Sequence, residues 1–397
     1  MRLVPHLRRQ FGALAAASVV ALGGTAALVV VSAAPASATT VTTESEFRDA
    51  WANDADIVLG ADITLTCDGG RAERPDGDFT LDGRGHTITQ TCPGDGVLKV
   101  DSGNAPNGVV RNVTITGGTE SVPGEHGGGL YFDSDGTLEV DHVAFLNNTT
   151  CADGGGLDYE GSDLTITHST LAGNHAHGYG GALWAGGSTT VVDDSTVSGN
   201  DAGANAGAFE TGGGDVTLAY VTLVQNGIVP LSGCEETPTA TAGHGPTSSA
   251  ATFEQIDNGE EGTLTSFGSV IALPPSAGEF NCFLSTSPSA SQGYNFSDDH
   301  SCGLTATGDR QDAGDPGLGA LGANGGLAPT QVPQAGSPLL DAIPVAACQT
   351  GAASGITDDE RDITRPQGSG CDIGAVEVVV EPAAVPQAVV VTPMFTG

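Results

Sequence analysis

Between Gly127 and Asn226 the chain repeats itself with a period of 26 residues, and this repeat limits the possible folds more than any other feature. Successive units begin at Gly128-Gly129-Leu130, Gly155-Gly156-Leu157, Gly181-Ala182-Leu183 and Gly207-Ala208-Phe209, and each runs through a turn into an alternating segment. Three columns keep the spacing: Val140, Ile166, Val192 and Leu218; Phe145, Leu171, Val197 and Leu223; Asn148, Asn174, Asn200 and Asn226. Alternation of this kind marks strands with one buried face. A unit of two or three short strands cannot bury its own apolar face, so it must stack on a neighbour. Stacking at about 4.8 Å per strand makes parallel sheets that run along the array. The expected fold is therefore all-β, a right-handed parallel β-helix (a solenoid of ~26-residue rungs), its hand following the rule for parallel connections.

The asparagine column has a structural cause in this fold. A stacked amide can donate to one neighbour and accept from the next, and Asn tolerates the left-handed backbone of a sharp turn. Thr43 to Trp51 reads as a short capped amphipathic helix that covers the open first rung. Phe79 to Ile88 reads as an early rung and Thr263 to Ile271 as a further one, with a polar Pro/Thr/Ser/Gly loop at 227–262 between the array and that last rung. The expected organisation is an export segment at 1–38, a cap at 39–77, the β-helix at 78–270, a C-terminal region at 271–377 and a tail at 378–397.

Composition narrows the function. With 48 Asp+Glu against 12 Lys+Arg the formal net charge is -36, and Lys99 is the single lysine. Such a surface repels nucleic acid and anionic lipid, whose binding rests on clustered Lys and Arg. Arg2, Arg8 and Arg9, an apolar stretch from Phe11 to Val31 and Ala36-Ser37-Ala38 together read as a cleavable signal peptide. Eight cysteines in an exported chain are expected to form disulfides. Local spacing pairs Cys67 with Cys92, Cys282 with Cys302 and Cys348 with Cys371, which leaves Cys151 for Cys234 by elimination.

The Gly-Gly-Ala/Gly-Leu and apolar-x-x-Asn motifs resemble bacterial surface β-helix repeats, including those of polymorphic outer-membrane proteins. Further on, Gly293-Tyr294-Asn295, Cys302-Gly303-Leu304, Asp315-Pro316, Asn324-Gly325-Gly326, Gly336 to Asp341, Arg365-Pro366 and Cys371 to Glu377 are similar to the choice-of-anchor Q domain. That resemblance implies a secreted or surface-displayed bacterial protein. The tail from Glu381 to Gly397 departs from the family pattern, having no LPxTG-like motif and no apolar span, so covalent anchoring is not expected.

Two columns carry candidate chemistry. Tyr131, Asp158, Trp184 and Glu210 each follow the inward Leu or Phe of their rung and are expected to face outward as a ligand-binding column. Aromatic rings stack on sugar faces, and carboxylates two rungs (about 9.6 Å) apart suit inverting glycoside hydrolysis, which would make Asp158 and Glu210 the catalytic pair. The second column, His142, His168, Asp194 and Tyr220, lies at a turn, and its His/His/Asp set could hold a divalent metal. Asp193-Asp194 and Gly243-His244-Gly245 resemble polygalacturonase motifs, but the remaining motifs of that family are missing, and residues 112–309 contain no Arg or Lys to neutralise a uronate. The reading favours a secreted or surface-associated, monomeric structural and binding module for a carbohydrate or cell-envelope polymer. The alternative is a polysaccharide hydrolase or lyase. No cofactor is expected; the Asp/Gly turns allow for Ca²⁺, although no complete EF-hand or RTX loop is present.

Overall fold

In a computed structural model of the chain, the described residues are 38–379 without 54, 123, 230–233, 235–253, 258–261, 274–279 and 285–288. The export segment (Ala38 apart), the loop segment with His244 and the tail from Glu381 lie outside them.

Each rung of the array crosses the same succession of strands. In one rung these are Leu157–Tyr159, Asp163–Thr167, Thr170–Ala172 and His175–Ala176, and the next rung repeats them as Leu183–Ala185, Thr189–Asp193, Thr196–Ser198 and Asp201–Ala202. All pair in parallel with their equivalents. Among the described residues this gives an eight-stranded sheet headed by strands such as Leu157–Tyr159 (the first face), a five-stranded sheet of two-residue strands, and a 16-stranded sheet. The last of these bends at a corner into a second and a third face, and the long strands Phe79–Gln90, Asn107–Thr116 and Thr137–Leu146 run across both.

The expected columns stack in register. Val140 pairs with Ile166, Ile166 with Val192 and Val192 with Leu218, and Phe145, Leu171, Val197 and Leu223 pair in the same way. All eight are fully buried in one continuous core. The asparagines form a ladder: Asn148 Nδ2 donates to Asn174 Oδ1 (3.1 Å), Asn174 Nδ2 to Asn200 Oδ1 (3.0 Å) and Asn200 Nδ2 to Asn226 Oδ1 (2.8 Å). Each Oδ1 also accepts a backbone N–H from the rung before it, and each Nδ2 also reaches a backbone carbonyl. Every polar atom of these buried amides is thus used at the turn where the backbone leaves the sheet. A shorter serine ladder, in which Val143 N–H donates to Ser169 Oγ and Ser169 N–H to Ser195 Oγ, does the same work at the corner.

That corner is left-handed. His142, His168, Asp194 and Tyr220 have φ between 41° and 56°. Asn, Asp and His enter this region far more readily than β-branched residues, so the polar character of the column has a backbone cause.

The ends differ from a plain array. The helix runs Glu44–Asn53, and Thr43 and Glu46 form a reciprocal capping box: Glu46 N–H donates to Thr43 Oγ1 and Thr43 N–H to Glu46 Oε2. Phe47, Ala50 and Trp51 turn inward, and the Trp51 indole N–H meets the carbonyls of Ala72 and Lys99 on the first coils. The stretch expected as a loop at 227–262 is not loop throughout. Gly227–Ile228 continues the short sheet and Glu254–Asp257 the first face, so the insertion falls between two faces of one coil. Register survives it: Val216 pairs with Leu264, and Asp215 and Thr263 are bonded across 48 positions instead of 26.

The C-terminal region turns back along the third face. Tyr220, Phe267, Val270 and Phe296 form a second apolar cluster with Leu339, Ile343 and Ile373. Thr170, Thr196 and Thr222 meet this arm: Thr170 Oγ1 donates to Glu360 Oε1 (2.7 Å), Thr196 Oγ1 to Glu360 Oε2, and Ala375 N–H to Thr222 Oγ1 (2.9 Å). The four disulfides are Cys67–Cys92, Cys282–Cys302 and Cys348–Cys371, the three that spacing leads one to expect, and Cys151–Cys234, the pair left by elimination.

Two predictions follow from this packing. Asn174→Leu leaves the buried Asn148 backbone N–H and one of the two Nδ2 hydrogens of Asn148 without an acceptor, at about 1–3 kcal/mol each. Urea unfolding should show it far less stable than Thr165→Ala on the half-exposed side of the same rung, which should change stability by about 0.5 kcal/mol or less. Burial drives Glu360 well above the usual carboxyl range despite the bonds from Thr196 and Thr170. Such an acid stabilises the fold below its ordinary value and loses that contribution as pH rises through the native one. As pH rises above the ordinary carboxyl range, calorimetry should find the melting temperature of the native chain falling more steeply than that of Glu360→Gln. Equal slopes would clear Glu360 of this role.

Candidate functional site

The first face carries one outward column. Lys99 pairs with Tyr131, Tyr131 with Asp158, Asp158 with Trp184, Trp184 with Glu210, and Glu210 with Asp257. None of these side chains belongs to the apolar core, so the column faces away from it, yet exposure runs only from 0% at Asp158 to 9% at Glu210. The expectation of an open strand face is corrected here. Loop residues that precede each glycine corner fold against the column.

Those residues form a column of their own: His126, Asp153, Tyr179 and Asn205, each just before Gly127, Gly154, Gly180 or Ala206 at positive φ. The corners hold together through backbone bonds, with Gly127 N–H on the Asp153 carbonyl and Gly154 N–H on the Tyr179 carbonyl, both at 3.0 Å. They must be slim. A Cβ on Gly155 would lie 2.3 Å from the Gly181 carbonyl oxygen, so the repeated glycines are a condition for rung contact.

Here His126 reaches Asp158: Nδ1 lies 3.1 Å from Asp158 Oδ2 and 3.6 Å from Asp153 Oδ2. Tyr131 is enclosed between cations, with Lys99 Nζ 5.1 Å and the His126 ring 5.4 Å from its ring centre. Its hydroxyl points to Glu160 Oε1 at 3.4 Å. Burial drives Asp158 up to about 7, against the pull of His126. Burial alone would lower His126, but the bond and charge of Asp158, with Asp153 and Glu160 behind, raise it to about 9. Among the described residues Asp158 Oδ1 has no hydrogen-bond partner.

The corner column is rearranged relative to expectation. Asp194 does not join the histidines; it is buried against Arg365, whose Nη2 lies 3.1 Å from Asp194 Oδ1. Burial raises Asp194 to about 7 although Arg365 opposes the shift. Arg365 also bonds Glu377 and sits 4.1 Å from the Tyr220 ring centre. The cation missing from residues 112–309 is therefore brought to these rungs by the C-terminal arm, but wholly enclosed. The carboxylate that does meet the histidines is Asp141. Its Oδ1 lies 2.9 Å from His142 Nδ1 and 3.2 Å from His168 Nδ1, and it accepts the Thr167 hydroxyl at 3.0 Å. Burial opposes its charge, but the two imidazoles hold Asp141 well below the usual carboxylate range. The two rings stack, with centres 4.6 Å apart and planes within 10°.

Sequence reasoning missed His126, Asp153, Tyr179 and Asp141. The first three had a signal, since each precedes a Gly/Ala-Gly-Gly/Ala triplet. Asp141 had none, because it lies on the strand before the corner rather than in the corner column.

Among the described residues, no helix is long and apolar enough to cross a membrane. A family model described as "Right handed beta helix region" matches residues 77–233. With the parallel register above, this makes the chain a right-handed parallel β-helix repeat protein, of the general kind found among surface and polysaccharide-related proteins. No curated protein and no solved structure matches it.

The raised groups give a pH prediction. A histidine lifted to about 9 by its neighbours stabilises the fold fully below its ordinary 6.5 and ceases to as pH passes 9; Asp158, lifted to about 7, acts in the same sense from lower pH. Thermal melting should therefore show native stability declining from neutral pH to about pH 10, and His126→Gln should flatten that decline.

Proposed function

We propose that the protein is an extracellular or surface-associated β-helix module that binds a carbohydrate or cell-envelope polymer without cleaving it. The observation that carries this reading is the in-register column from Lys99 to Asp257, which sets polar and aromatic groups at one-rung intervals along the solenoid. A polymer lying along the axis would pass over the residues that cover this column, which recur every 4.8 Å or so. Glu160 is exposed and Tyr179 half-buried beside the column, so these are the groups of first contact, with Trp184 and Glu210 beneath. The net charge of -36 favours a neutral or amine-bearing polymer over a polyanion.

Binding is preferred to catalysis for a geometric reason. A hydrolytic acid or nucleophile must touch the glycosidic bond. Asp158 is 0% exposed, with one oxygen bonded to His126. The four disulfides suit an oxidising compartment, and the likeness of residues 270–377 to the choice-of-anchor Q domain supports display at a cell surface.

A glycan and cell-wall polymer panel tests the proposal. Tyr179→Ala and Trp184→Ala should each weaken the binding found by roughly tenfold, about 1.4 kcal/mol, and no new reducing ends should appear on incubation. Unchanged binding in both variants removes the column as the site. Turnover that Asp158→Asn abolishes would make the protein a hydrolase.

A further inference from the structure

The corner between the second and third faces offers a different chemistry, independent of any polymer. Three donor atoms from adjacent rungs, one ring nitrogen each of His142 and His168 and one Asp141 carboxylate oxygen, all lie within 4.8 Å of one another, and both Nδ1 atoms face Asp141 Oδ1. Ligand atoms around a tetrahedral zinc ion, at about 2.0–2.2 Å from the metal, stand roughly 3.3–3.5 Å apart. The separations from Asp141 Oδ1, 2.9 and 3.2 Å, are close to that spacing.

Backbone and outer contacts hold the donors in place. Both histidines occupy left-handed corners, at φ 54° and 48°, which set the two rings of adjacent rungs face to face; holding one ion turns the rings out of this stack until their Nδ1 lone pairs converge. His142 Nε2 lies 3.2 Å from Asp362 Oδ1 on the C-terminal arm. A carboxylate that takes the Nε2–H of a histidine leaves Nδ1 as the ligating nitrogen, the usual support of a metal-bound imidazole. The Thr167 hydroxyl fixes the Asp141 carboxylate in turn. Side-chain exposure of 18%, 24% and 32% for His142, His168 and Asp141 leaves the cluster reachable from solvent.

We propose that Asp141, His142 and His168 form a binding site for one zinc-class divalent ion, with Asp362 as the outer support of His142 and a fourth position open to water. Two imidazoles with one carboxylate favour zinc and its neighbours over Ca²⁺ or Mg²⁺, which take oxygen ligands. The ion would tie two successive rungs and the C-terminal arm to one point.

Titration calorimetry of the untagged full chain, stripped with a chelator and titrated with ZnCl₂, is the test. The expected result is one Zn²⁺ per chain, undisturbed by excess CaCl₂ or MgCl₂. Asp362→Asn should weaken binding about ten- to hundredfold. Asp141→Asn and His168→Asn, the latter chosen because Asn accepts the left-handed backbone, should weaken it further. Absence of binding to the native chain overturns the proposal. So does zinc affinity that survives unchanged in both Asp141→Asn and His168→Asn.

Discussion

Everything in this molecule depends on parallel strands meeting their equivalents one rung away. That single contact decides which residues can sit at each position, because whatever occupies a column must tolerate a near-copy of itself above and below. Aliphatic side chains satisfy this by packing. Polar ones need a further device, and the Asn148–Asn226 ladder provides it: every amide both gives and receives, so four buried polar side chains leave no group stranded. Glycines at the corners meet the same demand by removing bulk, as at Gly155 against the Gly181 carbonyl.

The same stacking makes ionisable columns demanding. Where a column carries acids, as with Asp158, Glu210 and Asp257 on the first face, like charges come close together, and cations stand beside some of them. Lys99 and His126 serve one end of the first face, and Arg365 serves Asp194 at the corner. With so few basic residues in the chain, their placement is informative: several of them are enclosed against acids or aromatic rings and not spread on the surface.

Strand alternation made the fold legible, since Val140 to Leu218 and Asn148 to Asn226 recur at a spacing that only stacked coils use. It also placed Tyr131, Asp158, Trp184 and Glu210 in one column. What it could not convey was cover. Alternation tells which face a residue points to, not whether a loop or a distant segment lies over that face. His126 reaches Asp158 from the preceding rung's corner, and Glu360 reaches Thr170 across 190 positions. At the left-handed corner the period placed the backbone of His142, His168, Asp194 and Tyr220 but not the partners of their side chains. A left-handed residue breaks the two-residue rhythm, so His142 turns onto its own neighbour Asp141 while Asp194 goes to Arg365.

The C-terminal arm has a consequence for the order of assembly. Its partners Thr170, Thr196, Thr222 and Tyr220 lie on several coils at once, so it has no surface to settle on until those coils exist. Contacts so remote along the chain close late, after local coil growth. The arm is thus a latch across several coils at once, and without it a row of threonine hydroxyls and apolar side chains would be wet.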